Sequence, residues 1–310
     1  MIATVSLNPS IDVRYSLPVF QIGQIHRAAS IDKTAGGKGL NVSRVLSQLG
    51  MKVSCTGFLG GKNGEWIADR LQDSMLENRF IPIKGETRSC LAILTEDGQT
   101  EILEQGPYIS EDERKLFLEI YDSILEEADY IVASGSLPTG LEQSFYQLLA
   151  DRAKQKGRYF LLDTSGIGLA QGIQGKPFLI KPNKEEFCKL IGKSHIELDE
   201  MMEYAQEICK NGVEYLLLSM GKEGALLVSK SRILKADIPV IKAMNPVGSG
   251  DSMLAGFTFA HSKEYSLEEV LKWACACGMS NAASEKTGSI NPLEVQQFIN
   301  LIKVVEITNL

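Results

Sequence analysis

A short segment near the end of the chain combines glycines with one aspartate: Asn245-Pro246-Val247-Gly248-Ser249-Gly250-Asp251. The two glycines allow a tight turn because they have no Cβ. Small and helix-forming residues follow, so we expect a helix to begin at or near Gly250, with its first N–H groups free to bind an anion. Two interpretations of Asp251 stay open: a helix N-cap or first-turn residue, or a general base that takes a proton from a hydroxyl group.

A second glycine-rich segment lies near the start of the chain: Ala35-Gly36-Gly37-Lys38-Gly39-Leu40-Asn41-Val42. It precedes a predicted helix that runs through Arg44 and Leu49. Lys38 offers a point charge for a phosphate, and Asn41 offers both a donor and an acceptor for hydroxyl groups. The alternative is a plain glycine-rich turn into a helix. The spacing is neither that of the dinucleotide fingerprint nor that of a Walker motif.

A third segment directly follows a predicted strand at residues 178–180: Lys181-Pro182-Asn183-Lys184-Glu185-Glu186. Asn183 and Glu186 are three residues apart, so they share a face where a helix begins. The carboxylate could orient water bound to Mg²⁺, since that ion keeps several of its waters. The alternative is a capping box, in which the two residues only close the helix end.

Three further positions could face the same ligand. Asp12 follows the first predicted strand, Ser136 lies in a polar loop after the strand at residues 130–133, and Arg88 begins a predicted hairpin. Each also has an ordinary interpretation as a turn residue or a surface charge.

The order of the predicted elements indicates that these segments lie at the same edge of one sheet. Short apolar runs at residues 53–58, 130–133, 159–162, 178–180 and 215–218 predict buried strands. Between or beside these runs, apolar residues recur at helical spacing and predict helices within residues 111–129, 142–156 and 199–211. Alternation of this kind predicts an α/β fold with a mostly parallel sheet covered by helices on both faces, and ligands of such sheets bind at the carboxyl ends of the strands.

Two regions break the alternation, at about residues 12–34 and 87–105. The second contains the turn Glu96-Asp97-Gly98-Gln99 between two extended runs, which is a hairpin signal. We expect the two regions to form a small antiparallel sheet that acts as a lid, with ordinary edge hairpins as the alternative. Apolar faces of such a lid could also pair between two subunits, which makes a homodimer through the lid one expected assembly.

Composition excludes several functions. The net charge is −7 and basic blocks are absent, so a nucleic-acid partner is not expected. No apolar run reaches 18 residues, and the start of the chain predicts a strand rather than a signal peptide, so no membrane partner is expected either. The scattered cysteines favour a reducing cytoplasm, and the three histidines have no spacing typical of a zinc site.

The sequence resembles the PfkB (ribokinase-like) carbohydrate kinase family over essentially its whole length, residues 1–310. Three motifs in the family's order carry the resemblance: Gly36-Gly37-Lys38-Gly39-Leu40-Asn41, Lys181-Pro182-Asn183-Lys184-Glu185-Glu186 and Val247-Gly248-Ser249-Gly250-Asp251-Ser252. The family's usual third motif has Ala where this chain has Ser249. The resemblance implies a three-layer α/β/α core in one domain, with ATP and Mg²⁺ as co-substrate and cofactor.

The resemblance also implies a role for each residue. Asp251 would be the base, and Gly248, Ser249 and Gly250 would form an anion hole. Asn183 and Glu186 would organise Mg²⁺ through water. Sugar-phosphate contacts would come from Asp12, Gly37, Lys38, Asn41, Arg88, Cys90 and Ser136, with Arg27 as a further candidate from the lid; Lys38 and Arg88 would hold the existing phosphate. The nucleotide would be surrounded by Lys181, Asn183, Ser219, Gly221, Gly224, Ser280 and Asn281.

Within the family, local stretches are similar to the tagatose-6-phosphate kinases: Gly85-Glu86-Thr87-Arg88-Ser89-Cys90, Thr100-Glu101-Ile102-Leu103-Glu104-Gln105-Gly106-Pro107, and the segment from Asn245 to Asp251. This implies phosphorylation of a ketohexose 6-phosphate at its C1 hydroxyl. The 1-phosphofructokinases share the same frame, and a sugar-phosphate-binding protein without activity could share the same fold. A dehydrogenase is not expected without the dinucleotide fingerprint.

Overall fold

Two β-sheets hold the strands of this computed structural model, which describes residues 1–307. The larger sheet contains β1 (Ile2–Ser6), β4 (Val53–Gly60), β5 (Leu76–Asn78), β6 (Ile81–Ile83), β9 (Tyr130–Ser134), β10 (Tyr159–Asp163), β11 (Leu179–Ile180), β12 (Tyr215–Ser219), β13 (Ala225–Ser229), β14 (Ile233–Asp237) and β15 (Lys303–Glu306). The smaller sheet contains β2 (Ser10–Ser16), β3 (Ser30–Gly36), β7 (Arg88–Thr95) and β8 (Gly98–Leu103).

The larger sheet has the order β15-β14-β13-β12-β11-β10-β9-β1-β4-β5, with β6 also paired to β4. Every pair of neighbouring strands from β12 to β5 is parallel, and so is the pair of β4 with β6. The three pairs at one edge, β12 with β13, β13 with β14 and β14 with β15, are antiparallel. The prediction of a mostly parallel sheet is therefore confirmed. Because neighbouring parallel strands point the same way, the loops after β1, β9, β10, β11 and β12 meet at one edge.

Ten helices within residues 1–307 surround this sheet: α1 (Lys38–Gln48), α2 (Gly61–Arg70), α3 (Glu111–Glu127), α4 (Phe145–Gln155), α5 (Gly166–Gly172), α6 (Lys184–Leu190), α7 (Leu198–Lys210), α8 (Ser249–Ser262), α9 (Leu267–Ala283) and α10 (Pro292–Leu301). Successive residues of a strand point to opposite faces of the sheet, where they pack in two different hydrophobic cores. Ile131 packs with residues of α3 to α7, whereas Val132 packs with residues of α1, α8, α9 and α10. The fold is thus the three-layer α/β/α arrangement that the sequence predicts.

The smaller sheet is formed by the two regions expected to act as a lid, and the name lid is kept for it below; its order β3-β2-β7-β8 corrects one expectation. Its two hairpins are antiparallel, but they join through a parallel pair, β2 with β7, so the sheet is not wholly antiparallel. The physical reason is that β2 and β7 leave the core in the same direction. Residues 17–29, which the sequence assigns partly to an extended run, contain no strand. The predicted hairpin turn is confirmed at Glu96 and Asp97.

Two observations complete the description of residues 1–307. The six cysteines are all buried and form no disulfide. Among the described helices, none combines the length and the apolar character needed to span a bilayer.

Candidate active site

A cleft of about 1280 Å³ lies between the lid and the carboxyl edge of the larger sheet. Loops after five parallel strands line it, and the lid contributes side chains of β2, β3, β7 and β8. The cleft brings together seventeen residues singled out from the sequence: Asp12, Gly37, Lys38, Asn41, Arg88, Cys90, Ser136, Lys181, Asn183, Glu186, Ser219, Gly221, Gly224, Gly248, Ser249, Gly250 and Asp251. They come from widely separated parts of the chain, so only the fold makes them neighbours.

The glycine turn before α8 has the geometry of an anion site. Gly248 is the N-cap, with φ of 82° in the left-handed region that favours glycine. A Cβ at this position would lie 2.7 Å from Cγ2 of Thr287, so a larger residue does not fit. The helix of 14 residues that follows directs its first N–H groups toward the cleft.

Asp251 lies in the first turn of α8 and is 5% exposed. The first-turn interpretation of this residue is confirmed, and the general-base interpretation stays a prediction; the first-turn position places the carboxylate beside the glycine turn. Its Oδ2 accepts a hydrogen bond of 2.6 Å from Nδ2 of Asn41. Burial, and then the negative charge of Asp163, raise the pKa of Asp251 to about 6 against the opposing effect of Lys38. A carboxylate with this pKa is suited to accept a proton near neutral pH.

Asp163 is the functional candidate that the sequence interpretation missed. It ends β10, is completely buried, and lies 3.1 Å from Nζ of Lys38 and 3.2 Å from Nζ of Lys181. Burial alone would raise its pKa, but the two ammonium groups outweigh that effect and lower it. The signal was present, because Asp163 directly follows the apolar run that predicts a strand at residues 159–162.

The two cations expected to hold the sugar's phosphate lie in different surroundings. Lys38 pairs with Asp163 and lies 3.8 Å from Glu186, and the charge of Asp163 raises its pKa. Arg88 instead begins lid strand β7 and donates to the carbonyls of Asn8 (3.2 Å) and Glu104 (2.8 Å). Lys38 thus stands with the acidic residues below the anion site, while Arg88 stands at the lid.

Asp12 and Cys90 lie opposite each other in the register of β2 and β7. Asp12 accepts a hydrogen bond of 2.6 Å from Ser10, and burial raises its pKa. Its carboxyl group occupies the space beside Gly36, where an added Cβ would come within 2.0 Å of Cγ. Only glycine at residue 36 therefore permits this carboxylate to stand in the cleft.

Comparison with known proteins assigns this architecture to a family. Residues 8–294 match the family described as pfkB family carbohydrate kinase. The chain belongs to this family. Its expected membership is therefore confirmed.

Solved structures of similar kinases extend over the same length. A provisionally named phosphofructokinase from Staphylococcus aureus is 30% identical, with 99% of each chain covered and a TM-score of 0.85. Phosphofructokinase-2 from Escherichia coli, in complex with substrates and products, is 27% identical over 96% of this chain and 98% of that one, with a TM-score of 0.89. Ribokinase from Arabidopsis thaliana, complexed with ribose and ATP, is 21% identical with a TM-score of 0.77 over 96% and 98% of the two chains, and shares the ribokinase-like fold.

The Asn183 and Glu186 pair of this kinase forms the capping box that the sequence left as the alternative. Oδ1 of Asn183 accepts from the Glu186 N–H at 2.8 Å, and Oε2 of Glu186 accepts from the Asn183 N–H at 2.9 Å. The cap does not use Oε1 of Glu186, which faces Lys38 in the cleft. A metal held through water remains compatible with this arrangement. Within residues 1–307 no group of three acidic, histidine or cysteine side chains could hold a metal directly.

Three predicted contact residues of this kinase lie outside the cleft lining. Arg27 is exposed in the segment after β2. Ser280 is buried behind the cleft, where its hydroxyl donates to Glu294 and accepts from the N–H of Asn291. Asn281 is also buried, and its Nδ2 donates to the carbonyl of Val247 (2.8 Å) and to Oγ of Ser249 (3.2 Å). Asn281 therefore supports the glycine turn before α8 and does not line the cleft.

Proposed function

We propose that this kinase transfers the γ-phosphoryl group of ATP to the C1 hydroxyl of D-tagatose 6-phosphate. The products are D-tagatose 1,6-bisphosphate and ADP, a step of lactose and galactose breakdown through tagatose 6-phosphate. One observation carries the proposal: a buried carboxylate with a raised pKa, Asp251, stands in the first turn of a helix whose N-cap glycine shapes an anion site. A base beside an anion hole is what transfer of a phosphoryl group to a hydroxyl requires.

In the proposed reaction Asp251 takes the C1 hydroxyl proton while the new O–P bond forms and the bond to the leaving β-phosphate oxygen breaks. Within residues 1–307 no hydrogen bond engages Oδ1 of Asp251, whereas Oδ2 is held by Asn41, so Oδ1 is the oxygen available for the proton. Charge that develops on the transferring group is stabilised by the N–H groups at Gly248, Ser249 and Gly250.

The different positions of Lys38 and Arg88 support separate roles. We assign Lys38 to the transferring phosphoryl group, because it stands with Asp163 and Glu186 near Asp251. Arg88 on the lid is assigned to the phosphate that the sugar already carries. Asp12, Gly37, Cys90 and Ser136 line the space between them and are proposed contacts of the sugar.

The nucleotide is proposed to bind along the loops after β11 and β12. Lys181, Asn183, Ser219, Gly221 and Gly224 line this part of the cleft. Gly221 (φ 59°) and Gly224 (φ 88°) have a positive φ that favours glycine, and they bring the backbone to the cleft with no side chain of their own. When bound, Mg²⁺ would neutralise phosphate charge, and Oε1 of Glu186 would orient its water shell.

The identity of the sugar rests on the likeness of the lid segments to tagatose-6-phosphate kinases. Fructose 6-phosphate differs from tagatose 6-phosphate in the configuration of one hydroxyl group, and fructose 1-phosphate differs in that configuration and also in which end carries the phosphate. The test is a side-by-side measurement of kcat/KM for the three sugars in a coupled ADP-release assay. We expect tagatose 6-phosphate to give the highest value. A higher value for fructose 1-phosphate would make the protein a 1-phosphofructokinase, and no ADP release with any sugar would make it a binding protein.

A homodimer through the lid is the proposed assembly. The lid and residues 17–29 expose apolar side chains, among them Ile22 (95% exposed), Ile25 (92%), Ile31 (55%) and Ile102 (53%). Sedimentation of the wild type and of the double variant Ile22→Lys, Ile25→Lys tests this. A wild type that sediments as a monomer at micromolar concentration would contradict it.

A further inference from the structure

Arg44 on α1 is a cation that none of the proposed steps uses. Its guanidinium group is enclosed between the lid, the cleft wall and the loop after α9. Nη1 donates to the carbonyl of Ala35 at the end of lid strand β3, and Nη2 donates to Oδ1 of Asn41 and, at 3.4 Å, to the carbonyl of Thr287. Burial lowers the pKa of Arg44, while the charges of Asp12 and Asp251 oppose that effect. An arginine stays charged under such conditions.

The contact between Arg44 and Asn41 determines which way the Asn41 amide points. A guanidinium group has donors only, so it can pair only with the oxygen of the amide. The amide nitrogen must then face the other way, toward Oδ2 of Asp251 at 2.6 Å. The reversed amide would place an NH₂ group against the guanidinium and a carbonyl oxygen against the carboxylate, and both contacts would be repulsive.

We propose that Arg44 is a positioning residue of the phosphoryl transfer: it fixes the Asn41 amide so that its N–H holds Oδ2 of Asp251, which keeps Asp251 ionised and leaves Oδ1 free for the substrate proton. The inference rests on the proposed role of Asp251 as the base. It gives Asn41 a task different from the predicted one, because both ends of its amide are engaged inside the protein.

The other groups around Asp251 do not fix its orientation in this way. Asp163 from the end of β10, Lys38 from α1 and Lys181 after β11 act on Asp251 by charge. Asn281 on α9 contacts the turn but not the carboxylate. Within residues 1–307, Asn41 is the only hydrogen-bond donor to the carboxylate of Asp251, so the direction of its amide decides whether that carboxylate meets a donor or an acceptor.

The experiment measures the titration of Asp251 directly by carbon NMR of protein labelled at the aspartate carboxyl groups, with Asp251→Asn to assign the signal. In Arg44→Met the Asn41 amide can reverse and the positive charge near Asp251 is also lost, and we expect the titration midpoint of Asp251 to rise by about one pH unit. In an Asn41→Ala background only the loss of charge can act, so the same substitution should raise the midpoint by less than about half a unit. Arg44→Lys keeps both the charge and a donor for Asn41, so its midpoint should stay near the wild-type value. The acid limb of the kcat profile should move by the same amounts.

Gln48→Ala is the matched control. Gln48 lies on the same helix and holds the same loop, through the carbonyl of Gly288 and the N–H of Ile290, but it has no hydrogen bond to Asn41. Its removal loosens the loop without freeing the amide, so the midpoint should stay at the wild-type value.

An unchanged midpoint in Arg44→Met would overturn the proposal, and so would an equal rise in Gln48→Ala or an equal rise in the presence and absence of the Asn41 amide. If Arg44→Met does not fold, Arg44→Gln replaces it in both backgrounds, because a glutamine amide is uncharged and can pair with either end of the Asn41 amide: a larger rise with Asn41 present supports the proposal, and equal rises overturn it. The titration needs no turnover. A protein that shows the shift but releases no ADP with any ketohexose phosphate would therefore contradict the proposed function and leave the role of Arg44 supported.

Discussion

The two ends of the same parallel strands have opposite chemistry. At their carboxyl ends, β10 finishes with the buried Asp163, and Lys181 follows β11, so that charges stand in the protein interior. At their amino ends the corresponding strands begin with aromatic residues, Tyr130, Tyr159 and Tyr215, with Phe178 directly before β11. The strands are similarly apolar in their middles, so the two edges of the sheet differ in the residues at the strand ends.

The aromatic edge is built around His261 of α8. Its ring centroid lies 4.9 to 6.2 Å from the rings of Tyr130, Tyr159, Phe178, Tyr215 and Phe257, and its Nδ1 pairs with the Tyr130 hydroxyl at 2.7 Å. Burial lowers the pKa of His261, which favours the neutral ring. This ring cluster therefore satisfies the polar atoms of His261 and Tyr130 without charge. The charged edge instead holds carboxylates and ammonium groups whose desolvation costs stability unless every partner is present.

The largest effect is expected for Asp163→Asn. The neutral amide removes the buried carboxylate that the ammonium groups of Lys38 and Lys181 share, and only the more distant Glu186 still pairs with Lys38. Removing one partner of a buried ion pair costs about 3–5 kcal/mol, and we expect kcat to fall by up to about 10²-fold because Lys38 is no longer held. Denaturant unfolding and ADP release measure the two effects.

Asp122→Asn is the control for this prediction, since its pair with Arg152 lies at the surface. The loss there should stay below about 1 kcal/mol, with normal turnover. Equal losses of stability at residues 122 and 163 would contradict the contrast between the charged edge and the rest of the molecule.

Lys38→Met and Arg88→Met test whether the two cations of the cleft have the different roles proposed for them. Lys38 is proposed to stabilise the transferring phosphoryl group, so its loss should lower kcat by about 10²-fold. Arg88 is proposed to bind the existing phosphate of the sugar, so its loss should raise KM for the sugar phosphate while KM for ATP changes little. Steady-state kinetics with each substrate varied gives both values. A larger rise of the sugar KM in Lys38→Met than in Arg88→Met would reverse the two assignments.

The pH dependence of turnover follows from the raised pKa of Asp251, about 6. The base must be deprotonated, so activity is full above this pKa and is lost as the pH falls through it, about tenfold per pH unit further down. A pH profile of kcat under saturating substrates measures this. A profile that stays flat well below the pKa, to about pH 4.5, would contradict a base of this kind.

The smallest effect is expected at the aromatic edge. Tyr130→Phe removes one uncharged hydrogen bond to His261, and the free energy of unfolding should fall by only about 1 kcal/mol. The value of kcat should not change, because this edge lies at the opposite ends of the strands from the cleft. A tenfold loss of kcat in this variant would break the comparison between the two edges.

The sequence predicts those features that local patterns encode. Apolar runs locate the parallel strands, the Asp-Gly turn locates the β7–β8 hairpin, and spacing at Asn183 and Glu186 identifies the capping box. Contacts between distant residues have no such pattern. The parallel pairing of β2 with β7 and the pairing of Asp163 with Lys38, 125 residues away, depend on how whole elements pack. The position of Asn281 behind the turn also depends on such packing, since it is set by α9.

Replacement of Asp251 by asparagine tests the central claim most directly. The Asp251→Asn variant would keep the size of the side chain, but its amide could not take the hydroxyl proton. Turnover of the ketohexose phosphate should fall by about 10²–10⁴-fold, while ATP binding, measured by titration calorimetry, should persist. Near-normal kcat in this variant would contradict the assignment of Asp251 as the base, and with it the proposed mechanism.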